Sequence, residues 1–108
     1  MNLDEYQIKA TATAIYPEDQ AIQYLTLGLV SEAGEVAGKL KKIIRDRNGV
    51  IGVYEKSVIA DELGDVLWYI ACLAVELNIT MSTIAENNIS KLQDRKSRGV
   101  IGGSGDTR

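Results

Sequence analysis

Residues 62–75 read Glu62-Leu63-Gly64-Asp65-Val66-Leu67-Trp68-Tyr69-Ile70-Ala71-Cys72-Leu73-Ala74-Val75, and the last nine carry no charge. Together with Ile59 and Leu77, the positions Leu63, Val66, Ile70 and Leu73 recur at helical spacing. The periodicity predicts a helix over roughly Glu55 to Leu77. Trp68, Tyr69, Ala71, Cys72 and Val75 spread apolar surface around its other faces. A helix apolar all round is buried all round, which in a chain of 108 residues points to a subunit interface. Trp68 and Tyr69 are expected as packing or interface residues, with base stacking as the alternative. Glu62 and Asp65 border the core stripe.

Thirty residues earlier the same pattern, E-x-G-[E/D]-V, stands at Glu32-Ala33-Gly34-Glu35-Val36. Here too the acids are i and i+3, on one side of a helix. That helix is expected from about Glu18 to Arg45, after Pro17, with Ile22, Leu25, Leu29, Val36, Leu40, Ile43 and Ile44 as its stripe. Lys39 lies one turn beyond Glu35 on the same side. Gly34 and Gly64 cost roughly 1 kcal/mol each against alanine mid-helix, which suggests close approach of another helix. A first helix is expected over 3–15. Residues 46–54, with Asn48-Gly49, read as a loop. A fourth helix, capped by Thr80 or Ser82, runs to about Ser97. No strand-period run of useful length appears. The expected architecture is all-α and four-helix bundle-like, with two long antiparallel central helices in a domain over 1–98. A glycine-rich tail follows over 99–108. Alone it would be disordered, although Ser104, Asp106 and Arg108 are polar groups that could fold over a bound ligand.

Composition narrows the chemistry. There is no histidine, one cysteine and a net charge of −3. These exclude Ser-His triads, His-ligated or Cys-rich zinc and an intramolecular disulfide. Bulk attraction for a nucleic-acid polymer or an anionic membrane is absent. The uncharged run is too short to span a bilayer. Without a secretory signal at the N-terminus, a cytoplasmic, reducing location is expected. Carboxylates remain, and hard oxygen ligands suit Mg²⁺, with Mn²⁺ as an alternative. Singly, each acid pair reads as solvated surface charge. Both pairs nevertheless border a face where a neighbouring helix must pack, and burying like charges there costs several kcal/mol per ion. One or two divalent cations held by Glu32, Glu35, Glu62 and Asp65 would resolve that cost.

These residues resemble a known family. Glu32-x-x-Glu35, a spacer of 26 residues and Glu62-x-x-Asp65 resemble the MazG-like nucleotide pyrophosphohydrolases, which belong with the dimeric dUTPases among the all-α nucleoside triphosphate pyrophosphatases. Asn88-x-x-Lys91-x-x-x-Arg95 matches the family's fourth helix, and Arg98-Gly99 with Gly103-Ser104-Gly105-Asp106 resembles the tail of its short members. Ser31 stands where the family often has a further acid. The resemblance implies Mg²⁺-dependent hydrolysis of (deoxy)nucleoside triphosphates to a monophosphate and pyrophosphate, with a metal-activated water attacking the α-phosphate. It implies the four acids as catalytic metal ligands, and Lys39, Asn88, Lys91 and Arg95 as substrate contacts. It also implies a homodimer or a dimer of dimers. The competing reading is a non-catalytic helical interaction module whose acids are structural.

Overall fold

The computed structural model describes all 108 residues. Four helices account for the regular structure: α1 (Leu3–Thr11), α2 (Ala21–Arg47), α3 (Val53–Glu76) and α4 (Met81–Ser97), with one 3₁₀ turn at Glu18–Gln20 ahead of α2. There is no strand. α2 and α3 lie antiparallel along each other, α1 crosses α3, and α4 runs against α1.

Local chemistry sets each end. Asn2 and Glu5 form a reciprocal cap on α1. The Glu5 N–H donates to Asn2 Oδ1 at 2.8 Å, and the Asn2 N–H donates to Glu5 Oε2 at 3.1 Å. α1 stops at Thr11, short of the expected residue 15. The Ala10 carbonyl accepts from the Thr13 N–H, from Thr13 Oγ1 and from Trp68 Nε1. Those bonds replace the next helical turn. Pro17 precedes a 3₁₀ turn rather than α2 itself, so α2 starts three residues later than expected. At its other end Asn48 and Gly49 take positive φ (53° and 74°), and the Gly49 N–H reaches back to the Ile43 carbonyl at 3.1 Å. The loop is therefore only residues 48–52, which forces α3 back along α2.

Thr80, not Ser82, caps α4, accepting from the Thr83 N–H at 3.1 Å. Ser82 is held from another helix. Its N–H and Oγ donate to the two oxygens of Asp4 at 3.0 and 2.7 Å, and these bonds hold the Asp4 carboxyl below its ordinary pKa. A lowered carboxylate pKa contributes stability above the unfolded value, lost as pH falls through the folded one. Acid should therefore loosen α4 from α1 before global unfolding. Hydrogen exchange of the α4 amides on going below about pH 4 checks this, and in Asp4→Asn the same amides should exchange fast already at neutral pH.

The core is thin. Ala10, Ala71, Ala74 and Met81 form its centre, with Tyr6, Leu67, Trp68, Ile70 and Ile79 packed around them. Gln7 is buried among three elements: its amide donates to Ile79 O at 3.0 Å, and Oε1 accepts from the Met81 N–H at 3.0 Å. Leu25 and Cys72 are fully buried. The expected stripes are only partly covered. Leu25 and Ile43 are inside, but Ile44 (60%), Leu63 (53%) and Leu77 (58%) are exposed. Trp68 faces inward, donating to Ala10 O and Thr13 Oγ1, so it belongs to the chain's own core.

The tail also differs from expectation. Gly103 and Gly105 take φ of 86° and 96°, conformations open to glycine. The backbone curls around the Arg108 guanidinium, which donates to the carbonyls of Val100, Ile101, Gly102 and Gly105. Side-chain bonds replace the core that this composition lacks.

Candidate functional site

The carboxylate cluster sits midway along the α2–α3 pair. One oxygen each from Glu32, Glu62 and Asp65 lies within 4.8 Å of the others. Glu32 and Glu62 are half-buried and Asp65 is exposed. The i, i+3 spacing brings Glu62 and Asp65 to one side of α3, and the antiparallel pairing brings Glu32 of α2 opposite them. Glu35 is exposed and stands outside the converged three. Burial, then the charges of Asp65, Glu62 and Glu35, raise the Glu32 carboxyl above its ordinary pKa. Glu32 is thus where the like charges meet. Lys39 Nζ, 3.5 Å from Glu62 Oε1, is the cation within ion-pair distance of the cluster.

This donor set fits a hard divalent ion. It offers only carboxylate oxygens. Three carboxylate oxygens all within 4.8 Å of one another could be shared by one ion of this kind. Metal binding would also relieve the repulsion centred on Glu32.

An aromatic row continues from the cluster along the same two helices. Gly28, one turn before Glu32, lets the Tyr69 ring lie against the α2 backbone, and a Cβ at Gly28 would overlap that ring. Burial, then the Tyr24 hydroxyl, then the acids Glu32 and Asp65 raise the Tyr69 pKa. Tyr24 stacks on Tyr16 with centroids 6.0 Å apart. The Tyr16 hydroxyl donates to Glu76 Oε1 at 2.9 Å, and burial with this bond pushes its pKa up to about 12. Within the chain the close approach of a neighbouring helix occurs at Gly28, while beside Gly34 and Gly64 there is open space. Gly28 was legible as a glycine four residues before Glu32. Tyr16 and Tyr24 carried no signal, since only the pairing of α2 with α3 brings them into line with the acids.

The structure does not gather Asn88, Lys91 and Arg95 with the acids. α4's principal neighbour is α1. Asn88 and Lys91 are exposed and border a shallow cavity with Ile79 and Ile84. Arg95, expected as a substrate contact, is buried, and its Nη2 donates to Asp106 O at 2.8 Å.

Two antiparallel helices that bring three carboxylates together define an all-α protein with a candidate cation site between its long helices. The family model for the MazG nucleotide pyrophosphohydrolase domain matches residues 20–100, and the chain belongs to that family. It is similar to the Gene 37 protein of Mycobacterium phage L5, at 51% identity over 114 residues covering the whole of both chains. No solved structure matches. No helix is long and apolar enough to cross a membrane.

Proposed function

We propose that the chain hydrolyses nucleoside or deoxynucleoside triphosphates to a monophosphate and pyrophosphate, using Mg²⁺, with Mn²⁺ as a substitute. The convergence of Glu32, Glu62 and Asp65 within 4.8 Å, in a member of the MazG family, carries this reading. Those three would hold the ion, with Glu35 as the fourth acid of the set. When bound, the ion supplies charge neutralisation on the phosphates and a more acidic water. Glu35, outside the converged three, has lone pairs free to take the water's proton. The water oxygen bonds to the α-phosphorus, the bond from that phosphorus to the α,β-bridging oxygen breaks, and the oxygen leaves with pyrophosphate. Lys39 stabilises negative charge beside Glu62. An enzyme acting on such substrates belongs in the cytoplasm.

The catalytic domain on this reading is 1–98. Asn88 and Lys91, exposed and not gathered with the acids of their own chain, would then serve the site of a second subunit, while Arg95 is held by the tail. Two quantities favour an oligomer. The radius of gyration is 16.8 Å, against about 13 Å for a compact chain of this length. The accessible surface is 7731 Å², against about 5,900 Å² for a compact monomer of this mass. The excess exceeds the ~800 Å² per partner of an ordinary stable interface. Leu27 (72%), Val30 (67%) and Leu63 (53%) contribute to it. Gly34 and Gly64 have open space beside them, which suits a helix of another copy. A homodimer or a dimer of dimers would cover these faces.

The test of the reaction is hydrolysis in ¹⁸O-labelled water with Mg²⁺ and a panel of canonical and modified triphosphates. Label in the monophosphate, with unlabelled pyrophosphate, supports attack at the α-phosphorus. Label in orthophosphate with a diphosphate product, or no turnover of any triphosphate, overturns the reading.

A further inference from the structure

A second cavity lies between the C-terminal end of α2 and the first turns of α3. Its volume is about 190 Å³, several times the ~30 Å³ share of one water. Lys39, Lys42 and Arg47 line it from α2, with Tyr54 and Glu55 from α3. Lys39 belongs both to this cavity and to the carboxylate cluster, through its pair with Glu62. The cavity and the candidate metal site are therefore neighbours along one groove.

Its charge is more positive than a count of residues indicates. Asp46 also lines it, but both Asp46 oxygens are taken by Arg45, from Nε at 2.8 Å and Nη2 at 2.9 Å. The Glu55 carboxylate lies toward Gly52, at its own helix's N-terminus, where the helix dipole favours it. Lys42 and Arg47 form no ion pair within 4.0 Å. Two unpaired cations and a phenol hydroxyl beside an acid cluster form an arrangement suited to a polyanion.

We propose that this cavity is a subsite for a diphosphate group, in which Lys42, Arg47 and Tyr54 hold the β- and γ-phosphates of the nucleotide and then the pyrophosphate product. This rests on the hydrolytic reading above and assigns a direction to the substrate. Along α2 the order is Arg47, Lys42, Lys39, Glu35, Glu32, Gly28, Tyr24. The diphosphate lies toward the 48–52 loop, the α-phosphate at the acids, and the nucleoside toward Tyr69 and Tyr24. Lys42 is three residues, a rise of ~4.5 Å, from Lys39, so one polyphosphate chain can meet both.

The experiment measures binding of inorganic pyrophosphate and of a nucleoside monophosphate in the presence of Mg²⁺, by calorimetry and as product inhibition. In Lys42→Gln/Arg47→Gln, pyrophosphate affinity should fall by on the order of 100-fold, about tenfold for each charge-assisted hydrogen bond removed. Monophosphate affinity should stay within about twofold. Lys42→Gln alone should show the tenfold part. Asp46→Asn, which removes a negative charge from the lining, should tighten pyrophosphate binding, a sign that damaged folding cannot imitate. Unchanged pyrophosphate affinity in the double variant, or equal loss of both ligands, overturns the subsite. If the parent binds pyrophosphate as described yet turns over no triphosphate, the subsite stands and the hydrolytic reading falls. If it turns over triphosphates and the double variant keeps the parent's KM and pyrophosphate inhibition, the reverse holds.

Discussion

Glu62→Gln is expected to abolish Mg²⁺-dependent turnover, by at least two to three orders of magnitude, the scale of losing one group that stabilises transition-state charge. Glu62 has two roles that the amide cannot fill. It supplies one of the three converging oxygens, and it pairs with Lys39 at 3.5 Å. The helices should remain, since their packing rests on Leu25, Ala71, Cys72 and Ala74. Melting with and without Mg²⁺ separates binding from chemistry. Parent protein should melt higher with the ion, because a ligand that binds only the folded state stabilises it, and Glu62→Gln should lose that shift. Glu35→Gln should also lose turnover but keep most of the shift. For metal-free Glu32→Gln the sign is opposite. Glu32 has a raised pKa, so its favourable contribution belongs to low pH and is lost as pH rises through the folded value. At about pH 7 the amide variant should melt above the parent, and the gap should close on acidification. Full activity in Glu62→Gln would remove the carboxylate site from the account.

On the proposed oligomer, Leu63→Asp should leave a monomer of 11.8 kDa. Leu63 is 53% exposed in the single chain and precedes Gly64, which has open space beside it. On a true surface such a change costs within about 0.5 kcal/mol. Buried against another copy, an unpaired carboxylate costs several kcal/mol, enough to empty the interface at micromolar concentration. If Asn88 and Lys91 reach the acids of a neighbouring subunit, turnover should fall with the mass. Light scattering reads the mass and a turnover assay reads the coupling. A parent that already runs at 11.8 kDa contradicts the interface, and a monomeric variant with parental activity contradicts the shared site.

Much of the architecture was legible because it is local. Helical spacing in α3, Asn48-Gly49 as a stop and Thr80 as a cap depend on residues within a few positions of one another. The early end of α1 combines local bonds from Thr13 with a contact beyond that range. Three bonds onto the Ala10 carbonyl end α1 early, and one of them comes from Trp68, 58 residues away. The tail's composition suggested disorder, yet its own last arginine supplies the bonds that order it.

By itself the sequence determined the helical class and which acids could act together. Period and i, i+3 spacing are properties of one helix, and absent residue types exclude chemistries wherever they would fall. Only the tertiary structure decided which groups meet. It brought Glu32 across to Glu62 and Asp65 and left Glu35 at the edge. It set Tyr69 against Gly28, turned Trp68 inward, and gave Arg95 to the tail. It also opened a basic cavity beside Lys39 that no local pattern announces. The physical reason is that a side chain's neighbours across a helix pair depend on the register and rotation of two helices, which the packing of Leu25, Ala71, Cys72 and Ala74 and the short 48–52 loop fix together.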